Sequence, residues 1–299
     1  MAKVFIYRDK EGASRIWQDN FLVASKVMGL QVIEIPFDGL FERPKAPRGI
    51  LKKIHKNYQK GDIFVARFNE RKEHLIKRVY PELQQIFGEN MIFPDKRAEY
   101  FYNNKERQAE FFNRTDYPTP VQQWVQSRDE LNAFMQQHAL SFPVVRKESH
   151  GAGSAGVSLI DTGNTTYPFV AQEFCMKNEG DIRIMVIGDR IFGFARKNRK
   201  NDFRASGSGM IEYIEELPME CVKLAYQVSH ECGFVCMAYD FIKNNSGKHV
   251  IAEISYTFVS EPASRCPYYY SAADQFARKQ ITVGSVERLI LEQLVSPMK

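Results

Sequence analysis

The sequence predicts an α/β protein that turns to α+β in its C-terminal part, and two patterns carry that prediction. The first 95 residues alternate short apolar runs with amphipathic stretches of helical period, and from Phe169 onward the chain is mostly strand-like runs joined by tight turns. With 299 residues, 44% of them apolar and 26% charged, there is chain and apolar surface enough for more than one packed unit.

Val4 to Tyr7 reads as a strand and Ala13 to Met28 as a helix. Val32 to Ile35 and Ile63 to Phe68 follow as strands, then a helix from Arg71 to Phe87 and a strand from Met91 to Phe93. Such alternation implies a small parallel sheet flanked by helices. Phe41 to Gly49, rich in Pro and Arg, reads as a surface loop. Ala98 to Asn113 has helical period and must end before Pro118 and Pro120, which oppose helical geometry. Strands are expected at Val121 to Val125, Pro143 to Arg146 and Val157 to Ile160, with a helix at Asp129 to His138 and a glycine-rich loop around Ala152 to Ser154. Ile182 to Lys197 reads as a hairpin turned at Gly188-Asp189, and Pro218 to Cys232 as a helix. Val235 to Ile242 and His249 to Ser255 form a second hairpin turned at Asn244 to Lys248, and a last helix lies near Ser285 to Leu294. These elements divide the chain into units 1–95, 96–168 and 169–299.

Composition narrows the function classes. No window reaches the roughly 18 uninterrupted apolar residues of a membrane span, and the start becomes charged too early for a secretory signal, so a cytoplasmic protein is expected. The five cysteines are irregularly spaced, which suits reduced thiols rather than a disulfide framework. Cys232 and Cys236 lack a second pair at zinc-ligand spacing. A net charge of +5, scattered along the chain, favours an anionic small molecule over nucleic acid. The run Arg196, Lys197, Arg199 and Lys200 reads as a solvated face.

Three constellations carry chemistry. Gly151, Gly153 and Gly156 spell GxGxxG, but a strand follows where a dinucleotide-binding loop would open a helix. Val157-Ser158 stands where a Walker loop needs Lys-Ser or Lys-Thr, and Lys147 precedes the loop where a protein kinase places its lysine after it. What remains is strand, lysine, flexible loop, strand, an order that suits a lid over a triphosphate, or an ordinary hairpin beside a solvated lysine. Second, Asp240 and Glu253 lie on the two strands of one hairpin, with Ala238 and Ile251 on the same face. Carboxylates placed together beside apolar neighbours need compensation, from a shared Mg²⁺ or from nearby arginines. Third, Arg183 in GDIR and Arg204 in NDFRAS offer guanidinium forks suited to phosphate or carboxylate, or are surface residues.

In order, PVVRKESHGAGSAGV, AQEF, GDIRIMVIGD, NDFRASGSG, AYDFI and AEIS resemble the successive motifs of the ATP-grasp superfamily, in particular ligases similar to the ribosomal-protein glutamate ligase, over about Arg97 to Phe258. The resemblance implies an ATP-grasp fold preceded by a small βαβ-type domain, with subdomains at 96–168 and 169–299. It implies an ATP-dependent carboxylate–amine or carboxylate–thiol ligase using Mg²⁺, with Mn²⁺ as a substitute. Lys105 and Lys147 resemble the two nucleotide lysines, and Gly151, Gly153 and Ser154 the phosphate loop. Gln172, Glu173 and Phe174 resemble the adenine-lining segment, and Asp181 the ribose contact. Arg204, Ala205 and Ser206 match the stretch beside the phosphates, where Arg204, with Lys147 and Arg183, would stabilise charge in phosphoryl transfer. Asp240 and Glu253 match the metal ligands; Ser255 stands where the family usually has Asn, and would coordinate more weakly. The Ser-Pro-Gly continuation is absent, and the EISY ending is similar to ATP-grasp proteins of surface-polysaccharide pathways, which implies an acidic sugar or amino-acid substrate. A homodimer is implied by resemblance alone. The rival readings are a nucleotide-binding regulatory protein without turnover and an ATP-grasp kinase that phosphorylates a hydroxyl.

Overall fold

The computed structural model describes residues 2–8, 13–36, 47–67, 73–88, 91–102, 104–151 and 156–295, arranged around three sheets. The first is parallel, with strands β1 (Lys3–Arg8), β2 (Gln31–Pro36), β3 (Ile63–Val65) and β4 (Ile92–Phe93) in the order β2-β1-β3-β4. Both of its faces are covered, as strands buried on two sides require. Val4 and Ile6 turn toward Trp17 and Phe21 of the helix Ala13–Val27, whereas Phe5 and Tyr7 turn toward Leu51, Leu83 and Phe87.

The second sheet is antiparallel, with β5 (Gln122–Val125), β6 (Val144–Lys147), β7 (Val157–Ile160) and β8 (Phe169–Gln172) in the order β5-β8-β6-β7. Its own small core joins Val125, Val144 and Phe169 to Leu131 and Phe134 of the helix Arg128–Gln137. The third sheet contains β9 (Gly180–Ile187), β10 (Arg190–Lys197), β11 (Ile211–Glu212), β12 (Cys236–Lys243), β13 (His249–Ser255), β14 (Tyr269–Ser271) and β15 (Ala277–Lys279). Its order is β13-β12-β9-β10-β14-β15, with β11 alongside β10. One face packs on the helices Met219–Cys232 and Val286–Val295 and on Phe93 and Tyr256, which joins it to the first sheet. Among the described residues no helix is long and apolar enough to cross a membrane.

The structure departs from the sequence expectations in two elements. Pro47–Asn57 is a helix, so the Pro47 to Gly49 end of the expected linker begins it; Pro suits a first helical position because its missing N–H would be unpaired there anyway. The linker's Phe41 to Ala46 part lies outside the described residues. The single helix expected over Ala98 to Asn113 is two, Lys96–Phe101 and Lys105–Asn113. Tyr102 is extended, and the Asn104 side chain accepts from the Arg107 amide to cap the second helix. That break places Lys105 at a helix start, buried beside the second sheet's glycine loop.

Candidate active site

The second and third sheets face each other across a cleft lined from both sides. Lys147, Gln172, Phe174, Asp181, Arg204, Ala205, Ser206, Asp240 and Glu253 all line it. Lys105, Gly151, Glu173, Arg183 and Ser255 are not among its lining residues. Gly153 and Ser154 lie outside the described residues.

Lys147 closes β6, and only 7% of it is exposed. Its Nζ donates to the Ala252 carbonyl at 3.1 Å. Burial, against the attraction of Glu253 and with the repulsion of Lys105, lowers its pKa to about 8. Lys105 comes from the other side: its Nζ donates to Gly151 O at 2.7 Å and lies 3.4 Å from Glu253 Oε1. Two cations thus converge on the end of the cleft where Glu253 stands. Glu148 N donates to Gly156 O at 2.8 Å, which closes the base of the glycine loop.

Asp240 and Glu253 are directly opposed across β12 and β13. Asp240 is buried, and its compensation comes from arginine: Arg183 Nε and Nη2 donate to its two oxygens at 2.7 and 2.8 Å, and Arg196 Nη2 lies 2.8 Å from Oδ2. Arg196 also grips Asp181 with Nε and Nη2 at 2.7 and 2.6 Å. Burial works against the Asp240 charge, but Arg183 and Arg196 outweigh it and hold the carboxyl well below the usual range. Burial and the Asp240 charge beside it push Asp181 up.

Arg204 is folded onto Asp202, whose carboxylate it holds at 2.7 to 2.9 Å, and it donates to Val157 O at 2.9 Å, so it links the third sheet's loop to strand β7. Phe174 meets Phe203 edge to face at 5.7 Å inside the cleft. The Phe174 to Asn178 segment is braced from the β12–β13 turn, where Asn245 donates to Phe174 O and accepts from Met176 N. Gln172 is 4% exposed and its Oε1 has no partner among the described residues, a buried acceptor in the cleft wall. The Ser255 hydroxyl donates to Thr257 O at 2.9 Å.

These groups fit a nucleotide with its metal. A desolvated ammonium without a bonded carboxylate suits a phosphate, an unpaired amide oxygen suits a base amino group, and opposed carboxylate oxygens are the hard donors that Mg²⁺ takes. Sequence reasoning missed Arg196, Phe203 and Asn245. For Arg196 a signal existed: strand alternation puts it on the face of Asp181, its direct partner across β9 and β10.

A model of the RimK-like ATP-grasp domain matches residues 102–258. The chain belongs to the RimK-like ATP-grasp family. With that family stands the expected enzyme class, an ATP-dependent ligase. Among curated proteins none matches the sequence. Solved structures share the fold at low identity. The macrocyclase MdnC of Microcystis aeruginosa, bound to its precursor peptide MdnA, is 14% identical, with 99% of each chain covered and a TM-score of 0.63. The biotin carboxylase domain of the Hydrogenobacter thermophilus 2-oxoglutarate carboxylase, in a dimer with MgADP, is 12% identical. It covers 100% of this ATP-grasp chain and 71% of its own, with a TM-score of 0.66. A RimK domain ATP-grasp protein of Sphaerobacter thermophilus is 11% identical over 99% of this chain and 100% of its own, with a TM-score of 0.59.

Proposed function

We propose that this ATP-grasp protein is a carboxylate–amine ligase that works through an acylphosphate. The observation that carries the reading is the meeting of Lys105 and Lys147 with the opposed pair Asp240 and Glu253 at one end of the cleft. Phe174, Phe203 and Gln172 would receive the base, and Asp181 the ribose. Lys105 and Lys147 would neutralise the triphosphate and fix the γ-phosphate in line with the acid. Asp240 and Glu253 would hold Mg²⁺, which screens charge on the β- and γ-phosphates when bound.

In this reading a substrate carboxylate oxygen attacks the γ-phosphorus and ADP leaves. The amine nitrogen then attacks the acyl carbon, the C–O bond to phosphate breaks, and the nitrogen loses a proton. No covalent nucleophile from the protein is required. The walls of the cleft exclude water that would hydrolyse the acylphosphate. Arg204 would leave Asp202 and Val157 O to meet the transferring phosphoryl group, and Arg183 would act beside it through Asp240. A small acidic sugar or amino acid is the first substrate class to screen, and the peptide bound to MdnC adds peptide carboxylates to the set. Mn²⁺ serves as a substitute for Mg²⁺ in this reading, and a homodimer is part of it.

The test is ADP release from ATP with paired acids and amines, with hydroxylamine present to trap an acylphosphate as the hydroxamate. Hydroxamate formation that needs both ATP and an acid supports the ligase. Phosphorylation of a hydroxyl without hydroxamate would replace it by a kinase. The bond from Ser255 to Thr257 favours a second reading, a nucleotide-binding regulatory protein; binding of MgATP with no turnover of any acid would select it.

A further inference from the structure

Arg196 takes no part in the phosphoryl transfer, yet it touches two of the three site carboxylates, Asp181 and Asp240. Its Nη2 lies 2.6 Å from Asp181 Oδ2 and 2.8 Å from Asp240 Oδ2. Arg183 Nη2 donates to that same Asp240 oxygen at 2.8 Å. A carboxylate oxygen has two lone pairs. Asp240 Oδ2 thus accepts from one guanidinium and lies at ion-pair distance from a second, and on Oδ1 one lone pair is committed to Arg183 Nε.

The charges around this end of the cleft point the same way. Asp240 and Asp181 are balanced by Arg183 and Arg196, while Glu253 stands between Lys105 and Lys147. Four cations thus face three anions. A bare divalent cation meets a site of net positive charge whose best donor is already occupied. A nucleotide changes both terms, because its phosphates bring several negative charges and oxygen donors of their own. The close approach is built into the backbone: a Cβ on Gly180 would lie 2.0 Å from Arg196 O.

We propose that Arg196 keeps the Asp240–Glu253 pair closed to free divalent cations, so that the metal is accepted only together with nucleotide phosphates. The inference rests on the ligase reading of the same site. Replacing Arg196 by a neutral residue returns a lone pair to Asp240 Oδ2 and leaves Asp181 beside it without its counter-charge. Two carboxylates facing each other in a buried place form a cation site in their own right. Lysine at 196 keeps the charge and should keep the site closed, although it lacks the planar fork that spans two carboxylates.

The experiment follows Mn²⁺ binding by electron paramagnetic resonance and calorimetry, with and without ADP, in wild type, Arg196→Gln, Arg196→Lys and Arg196→Gln with Asp181→Asn. Wild type should bind Mn²⁺ tightly with ADP and at least tenfold more weakly without it. Arg196→Gln should gain at least tenfold in ADP-free Mn²⁺ affinity, equivalent to about 1.4 kcal/mol. Arg196→Lys should stay close to wild type, and the added Asp181→Asn should remove the gain. The double variant restores the charge balance, so it serves should Arg196→Gln alone fail to fold: ADP-free binding in it as tight as wild type with ADP would overturn the inference. Equal Mn²⁺ affinity in wild type with and without ADP would overturn it too, while leaving the ligase reading standing. Failure of wild type to bind ADP with Mn²⁺ would remove the ligase reading, and the inference with it.

Discussion

Asp240 faces Glu253 directly across the β12–β13 ladder, and the register slips at the next step, where Phe241 faces Ile251. Ala252 is the residue left over, and its carbonyl accepts from Lys147 Nζ at 3.1 Å. A bulge re-aims one strand without ending its pairing. Here it keeps two carboxylates opposed while giving the lysine of another sheet a backbone partner.

Lys147 should leave a signature in stability against pH. Its folded-state value of about 8 lies below that of an exposed lysine, because burial disfavours the charged form. Below pH 8 both folded and unfolded chains carry the proton and the penalty is fully present. Between about pH 8 and 10.5 the unfolded chain binds more protons, so this residue makes stability rise with pH, by at most about 3 kcal/mol. The difference in denaturant stability between wild type and Lys147→Met should therefore grow across that window and be flat below it. A difference that does not change between pH 8 and 10 would show that Lys147 is not desolvated.

The same residue predicts how binding responds to pH. Phosphate oxygens favour the ammonium, so MgATP affinity should fall as pH rises through about 8, and binding above that pH should take up close to one proton. Calorimetry in buffers of different ionisation enthalpy reads that uptake. Lys147→Ala should abolish it and most of the affinity together.

Asp240 and Glu253 should separate in stability while agreeing in function. Asp240→Asn leaves the buried Arg196 and the half-buried Arg183 with one carboxylate between them, and breaking a buried pair costs roughly 3 to 5 kcal/mol. Glu253 is 31% exposed and its nearest ion-pair partner is 3.4 Å away, so Glu253→Gln should change stability by less than about 1 kcal/mol. Both changes should remove Mg²⁺-dependent nucleotide binding. Thermal unfolding and calorimetry on the two variants check this, and an equal loss of stability would contradict the placement of Asp240 in the arginine network.

Strand alternation and turn chemistry made much of this legible in the sequence. The hairpin turned at Gly188-Asp189 and the one turned at Asn244 to Lys248 stand where their residues put them. The turn length brings Asp240 and Glu253 near each other, but a regular ladder would set Asp240 opposite Ala252; the bulge there, which no residue type marks, makes the pair direct and leaves Ile251 opposite Phe241 rather than on their face. Arg196 was hidden by its neighbours. Within a run of basic residues it read as a solvated side chain, and only its partner Asp181, fifteen positions earlier, shows it to be buried. The helix Pro47–Asn57 was lost because Pro and Arg in the preceding stretch read as loop.

Gly156 sits where the backbone itself demands glycine. Its φ of +74° is a backbone conformation that L side chains rarely adopt, and a Cβ there would lie 2.8 Å from Glu148 Oε2 and 2.9 Å from Glu148 Cβ. Glu148 cannot move away freely, because its amide donates to Gly156 O and closes the glycine loop. Gly156→Ala should cost roughly 1 to 2 kcal/mol in the loop through the left-handed backbone alone. The loop stands next to the Gly151 carbonyl that holds Lys105, so nucleotide affinity should fall about tenfold with the global melting temperature little changed. Adding Glu148→Ala removes the carboxyl part of the contact but leaves Cβ at 2.9 Å and the backbone strain, so it should restore only part of the affinity. Full restoration would assign the whole effect to the Glu148 contact and none to φ.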